Sequence, residues 1–85
     1  MAMRPDVRSV EQWLINRLAA LAKRGEHDID VTLPFSHYEL DSLLTVQLTA
    51  DLEDWLGRSL PPTLCWDYPT ARALARHLAQ ELPTL

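Results

Sequence analysis

Glu39-Leu40-Asp41-Ser42-Leu43 opens the longest apolar-periodic run of the 85-residue chain. Asp41 and Ser42 are both residue types whose side-chain oxygens accept from the unpaired N–H groups at a helix start. Leu44, Leu48, Leu52, Trp55 and Leu56 follow at helical spacing. They predict a helix from Asp41 to Leu56 with one core face, closed by Gly57. The positive end of that helix lies beside Ser42, so a phosphate attached there is electrostatically favoured. The stretch reads as a loop that delivers a serine hydroxyl to the first turn of a helix.

Towards the N-terminus, Ser9 followed by Gln12 fits a capping box, and Val10, Trp13, Leu14, Leu18, Leu21 and Ala22 form one apolar stripe. The expectation is a helix from Ser9 to Arg24, closed by Gly25, with Arg17, Lys23 and Arg24 towards its negative end. Between Glu26 and Leu40, Ile29, Val31, Leu33 and Phe35 alternate with polar or special residues. No second strand is on offer, so an extended loop packed on the helices is expected. Loops of this length in compact domains are often functional, and this one would span the bundle and position Ser42. Pro61 and Pro62 allow a single short turn of helix from Thr63 to Trp66. Thr70 caps a last helix with Ala71, Leu74, Ala75, Leu78 and Leu82 on its apolar face, stopped by Pro83. The expected fold is all-α: a small, irregular four-helix bundle of three main helices and one short one. Residues 1–8 read as a leader, disordered or left over from expression, residues 9–82 as one domain and residues 83–85 as a tail.

Hydrophobic residues make up 47% of the chain and charged residues 24%, which suits a globular domain and not a disordered tail. Neither a signal-peptide pattern nor an apolar run of membrane-spanning length occurs, so a cytoplasmic location without membrane contact is expected. The single cysteine, Cys65, sits in an apolar run and reads as a small buried hydrophobe. It offers neither an internal disulfide nor zinc-type spacing, so no metal is expected. His27, His37 and His77 are dispersed. Without an oriented base or an oxyanion motif, no catalytic residue is assigned and a small hydrolase is disfavoured. The net charge of −4 is unevenly spread: residues 1–25 carry five basic and two acidic side chains, residues 26–58 eight acidic and one basic. An acidic field around the Ser42 helix would steer basic protein surfaces and repel nucleic acid.

Asp41-Ser42-Leu43, with the helix after it, resembles the attachment motif of acyl carrier proteins. The later run Leu60-Pro61-Pro62-Thr63-Leu64-Cys65-Trp66-Asp67-Tyr68-Pro69-Thr70-Ala71 resembles the second signature of polyketide-synthase-type carriers. The two occur in family order and spacing, in a resemblance that runs from about Val10 to Leu82. It implies a non-catalytic carrier. A separate phosphopantetheinyl transferase would move 4'-phosphopantetheine from coenzyme A onto Ser42. The arm's thiol would then hold acyl groups as thioesters for polyketide, fatty-acid or lipopeptide enzymes such as ketosynthases and acyltransferases. Asp41 would cap the helix and help present the serine, with Leu43 and Val46 as apolar contacts beside the arm.

Glu39, Val46, Gln47, Asp51, Glu53 and Asp54 are the candidate partner contacts. Asp51, Glu53 and Asp54 lie near a helix C-terminus, where the macrodipole gives them no stabilising role. Glu39 stands where such carriers usually have glycine, and costs about 1 kcal/mol if the position needs positive φ. Gln47 stands where many have glutamate, and Trp66 where phenylalanine is common. The glycine pair usual before the serine of peptidyl carriers is absent, which favours an acyl over an aminoacyl cargo. The segment from Leu48 to Arg58 is similar to carriers loaded by fatty acyl-AMP ligases. A monomer is expected. The alternative is a helical docking module in which Ser42 is only the helix N-cap; such modules more often show long heptad helices and oligomerise.

Overall fold

The computed structural model describes residues 6–81. Most of the expected leader, the whole tail, and Leu82 of the last apolar face lie outside the described residues. The first helix, α1, spans Val7–Ala22 and starts earlier than the Ser9 capping box predicts. Asp6 is the N-cap, and its carboxylate accepts from the Ser9 N–H at 2.7 Å. A charged acceptor binds an orphan N–H more strongly than a hydroxyl does, so Asp6 takes the role. The bonds from Ser9 hold the Asp6 carboxyl below its ordinary value. Gln12 closes no box and donates to Glu26 at 3.0 Å. Gly25 does not end the helix either. Lys23 does, in the left-handed region at φ 57° and ψ 47°. Arg24 N–H reaches back to Ala19 O at 2.9 Å, the pattern of a Schellman end.

The connection to the next helix is the expected packed loop, with more internal structure than an extended chain. It contains two 3-10 turns, Glu26–Asp28 and Phe35–Tyr38. A lone bridge pairs Pro34 with Thr70, and Phe35 N–H donates to Pro69 O at 2.8 Å. Ile29, Phe35 and Tyr38 are buried while Val31, Leu33 and Leu40 pack against the core's edge. The carboxylate of Asp30 accepts from the hydroxyl and N–H of Thr32 at 2.6 and 2.9 Å, which lowers its pKa from the ordinary value.

Helix α2 spans Ser42–Leu56, capped by Asp41 and ended by Gly57 at φ 72°. Its buried face is Thr45, Leu48, Thr49 and Leu52, with Leu44, Trp55 and Leu56 only partly covered. The core stripe is thus centred on a different line from the leucine series. The two threonines tolerate burial because their hydroxyls donate to the carbonyls four residues back, Asp41 and Thr45, at 2.9 and 3.0 Å. Helix α3 is one turn, Leu64–Asp67, one residue later than predicted, and α4 spans Ala71–Glu81. Thr70 accepts from the Ala73 N–H at 3.1 Å as expected of a cap, and Ala71, Leu74, Ala75 and Leu78 are buried.

The fold is therefore all-α, an irregular four-helix bundle. Its firmest pairing is α1 on α4, reinforced by Arg72 and Glu11 at 3.3 Å. Helix α2 is joined to α1 by Trp13 stacked on Trp55 (centroids 5.3 Å, 17° between planes) and by an Arg17–Asp51 ion pair. Among the described residues no helix is long and apolar enough to cross a membrane.

Burial separates leucines that the sequence pattern treats alike. Leu14→Ala, at a position with no exposed surface, is expected to cost about 2–5 kcal/mol. Leu43→Ala, at a side chain 75% exposed, should stay within about 0.5 kcal/mol of the parent. Urea unfolding followed by far-UV circular dichroism measures both.

Candidate functional site

Helix α2 leaves its first N–H groups without intrahelical partners; Asp41 takes one of them with its side chain and starts the helical ladder with its carbonyl. Its carboxylate accepts from Leu44 N–H at 2.9 Å, and its carbonyl accepts from Thr45 N–H at 3.0 Å. Ser42 is consequently the first residue inside the helix and not its cap. The docking-module reading required Ser42 to be that cap, and Asp41 holds the role. Ser42 is exposed, and among the described residues its hydroxyl enters no hydrogen bond with His37. The His37 ring instead packs edge-on to Tyr38 at 5.1 Å. An exposed hydroxyl at the positive end of a fifteen-residue helix is a suitable place for an esterified phosphate.

Immediately before the cap, Glu39 is left-handed, at φ 59° and ψ 33°. It ends the Phe35–Tyr38 turn, its N–H donating to Ser36 O at 3.1 Å. A side chain here is strained, so the cost that positive φ would impose on Glu39 applies.

The serine is bordered by apolar surface. Leu43 is 75% and Val46 54% exposed, and three residues' spacing puts them on one side of α2. Trp66 on α3 is 59% exposed. It also lines a cavity of about 210 Å³ with Phe35, Leu40, Thr45, Cys65 and Pro69, bounded by the loop before Ser42, α2 and α3. Nothing in the hydrophobic pattern marks this cavity, because a buried threonine and a lone cysteine form part of its wall. Cys65 is 6% exposed, as expected of a small hydrophobe, with its sulfur 3.6 Å from the Thr49 hydroxyl. Burial pushes its thiol above the ordinary value, and the Thr49 contact offsets part of that.

The acidic residues of α2 divide in two. Asp51 pairs with Arg17 and accepts from Gln47 at 2.9 Å. Glu53 accepts the Leu60 N–H at 2.7 Å and so secures the segment that enters α3. Both therefore have structural partners outside the helix, beyond what the macrodipole argument addressed. Asp54 is exposed. Glu39 and Gln47 are exposed as well, nearer to Ser42 along the chain.

The family described as phosphopantetheine attachment site matches residues 12–78. A phenolphthiocerol synthesis polyketide synthase of Mycobacterium marinum is 35% identical over 65 residues, covering 76% of this chain and 3% of the relative. Mellein synthase of Phaeosphaeria nodorum is 40% identical over 70 residues, covering 76% of this chain and 4% of the relative. The chain thus spans only a few per cent of the length of these relatives. Among solved structures, a free-standing peptidyl carrier protein of Acinetobacter baumannii superposes with TM-score 0.86 at 36% identity, covering 92% of this chain and 98% of that one. An acyl carrier protein of Anabaena with a variant phosphopantetheinylation-site sequence gives TM-score 0.83 at 34% identity, covering 94% and 92%.

Two measurements follow from the geometry. Glu39→Gly should raise unfolding stability by up to about 1 kcal/mol, the relief of left-handed strain less the entropy that glycine loses on folding. A urea midpoint equal to or below the parent's would contradict that. In the folded apo chain, Cys65 should react with Ellman's reagent at least about tenfold more slowly than in urea, because thiolate and access are both suppressed.

Proposed function

The chain belongs to the phosphopantetheine attachment-site family and is an acyl-carrier-type domain, and from that premise we propose that Ser42 is the residue that carries the prosthetic group. The observation that carries this reading is the division of labour at the start of α2. Asp41 takes the cap, which leaves the Ser42 hydroxyl exposed for a transferase. The family's group is phosphopantetheine; when attached it supplies a thiol that holds an acyl chain as a thioester. The residues present fit it. Ser42 offers the oxygen, and the N-terminal N–H groups of α2 favour the phosphodiester charge. Leu43 offers apolar surface for the arm's first atoms.

The chemistry of attachment belongs to a separate phosphopantetheinyl transferase. The Ser42 oxygen bonds to the phosphorus next to pantetheine in coenzyme A, and the pyrophosphate link breaks. The bisphosphorylated adenosine leaves, and the serine proton passes to a base of the transferase. The chain itself contributes no acid or base to that step and acts as a monomeric carrier.

Leu43 and Val46 form the apolar part of the surface read by partner enzymes, with Glu39, Gln47 and Asp54 as its polar contacts. Asp51 and Glu53 add to the same negative field while holding Arg17 and the α3 approach. Partners then present basic surfaces. An acyl cargo is favoured by the lack of a glycine pair before Ser42. The likeness to a polyketide synthase supports a ketosynthase or acyltransferase as partner, in a cytoplasmic assembly line. The similarity of the segment from Leu48 to Arg58 to carriers loaded by fatty acyl-AMP ligases supports loading by such an enzyme.

The decisive experiment is intact mass spectrometry after incubation with coenzyme A, magnesium and a broad-specificity phosphopantetheinyl transferase. The parent is expected to gain one phosphopantetheine and Ser42→Ala none. Unchanged mass in a folded parent, or a gain on Ser42→Ala, would rule out Ser42 as the attachment residue.

A further inference from the structure

Tyr38 ties together three parts of the chain that meet around the approach to Ser42. Its side chain is 3% exposed, yet its hydroxyl is fully used. It accepts from the Asp30 N–H at 2.6 Å and donates to the Asp30 carbonyl at 2.9 Å. One phenol therefore satisfies both backbone groups of a single loop residue, as a neighbouring strand would do in a sheet. The guanidinium of Arg24, two residues beyond α1, lies 5.9 Å from the centre of the Tyr38 ring, within cation–π range. On the other side Tyr38 ends its 3-10 turn, and only Glu39, Leu40 and Asp41 separate it from Ser42. Of these three, Glu39 is held left-handed and Asp41 is held by its cap bonds. Little slack remains between the phenol and the serine.

We infer that Tyr38 is a positioning residue for the modification of Ser42: its hydroxyl, by clasping the Asp30 backbone, fixes the loop so that the start of α2 stands in the orientation a transferase engages. The inference rests on Ser42 being the attachment residue. Buried Ile29 and Phe35 also hold the loop, but apolar contacts are not directional, whereas two hydrogen bonds on one residue set the loop's angle. Group transfer depends steeply on such angles, because the serine oxygen must approach the phosphorus opposite the breaking pyrophosphate bond.

Tyr38→Phe keeps the ring, its burial and its contact with Arg24 and removes only the two hydrogen bonds. Asp30→Pro removes the N–H from the other side, after an Ile29 already extended at φ −93° and ψ 122°, a conformation that proline accepts in its predecessor. It also removes the carboxylate that accepts from Thr32, so it is compared with Asp30→Ala, which loses the carboxylate alone. Leu78→Val, a core trim in α4 that leaves every loop residue and its hydrogen bonds in place, serves as the reference for stability lost without loss of the clasp.

Initial rates of phosphopantetheine transfer are measured by intact mass against carrier concentration, with amide hydrogen exchange on each apo chain. For Tyr38→Phe, kcat/KM is expected to fall about three- to tenfold, less than the roughly hundredfold that a full 1 Å misplacement can cost, because Ile29 and Phe35 still anchor the loop. Exchange should quicken selectively at residues 30–42 while α1 and α4 keep their protection. Asp30→Pro should change both readouts in the same direction, and Leu78→Val should be modified at the parental rate. Parental rates in both clasp variants, or a loss matched by Leu78→Val with uniform loss of protection, would overturn the inference alone. A folded parent that takes up no phosphopantetheine would overturn the assignment of Ser42 and the inference with it.

Discussion

Every α-helix begins with donors that it cannot pair itself, and the site depends on which residue takes those of α2. Asp41 uses its carboxylate for Leu44 and its carbonyl for the N–H and hydroxyl of Thr45. Had Ser42 been the cap, its hydroxyl would be bound to the backbone and turned along the helix. One position further on, the same hydroxyl is exposed and still within the field of the helix terminus. The adjacent aspartate and serine thus split two tasks: either residue type could cap the helix, but only the serine brings a hydroxyl.

The remaining architecture supports that terminus unevenly. Helices α1 and α4 make the firm base, and α2 leans on it through Leu48, Leu52 and the Trp13–Trp55 stack. Full burial of a leucine contributes about 1.5–3 kcal/mol, whereas a partly exposed ion pair such as Arg17–Asp51 contributes at most about 1 kcal/mol. Packing therefore holds α2 in place and decides which face it buries, and the ion pair adds little. The loop before Ser42 has few ladder bonds of its own and is held by inserted side chains and single contacts, among them the Pro34–Thr70 bridge.

Helix number, helix type and the exposed serine were legible in the sequence because they are written in local patterns. Apolar periodicity, prolines and a glycine end give the helices, and the two carrier signatures give the serine. What escaped notice was decided by competition or by distance along the chain. Ser9 offered a plausible cap, but Asp6 three residues earlier offered a stronger acceptor. Gly25 looked like the helix end, but Lys23 accepted left-handed strain and stopped α1 first. Thr45 and Thr49 belong to no apolar series, yet back-bonding to the preceding turn lets them line the core. Partners of Asp51 and Glu53, on α1 and ahead of α3, lie beyond the reach of helical spacing. The strain at Glu39 was the exception: its conditional reading needed only a φ angle to settle it.

The placement of the three tryptophans sorts them by what they can report. Trp13 and Trp55 share one stack across the α1–α2 junction, so their emission follows whether those helices remain together. Trp66 stands apart on α3, largely open to solvent and at the mouth of a cavity beside the loop that leads to Ser42. The chain therefore has two intrinsic optical channels. One tracks the integrity of the bundle, and the other tracks what comes to rest against the surface near the serine.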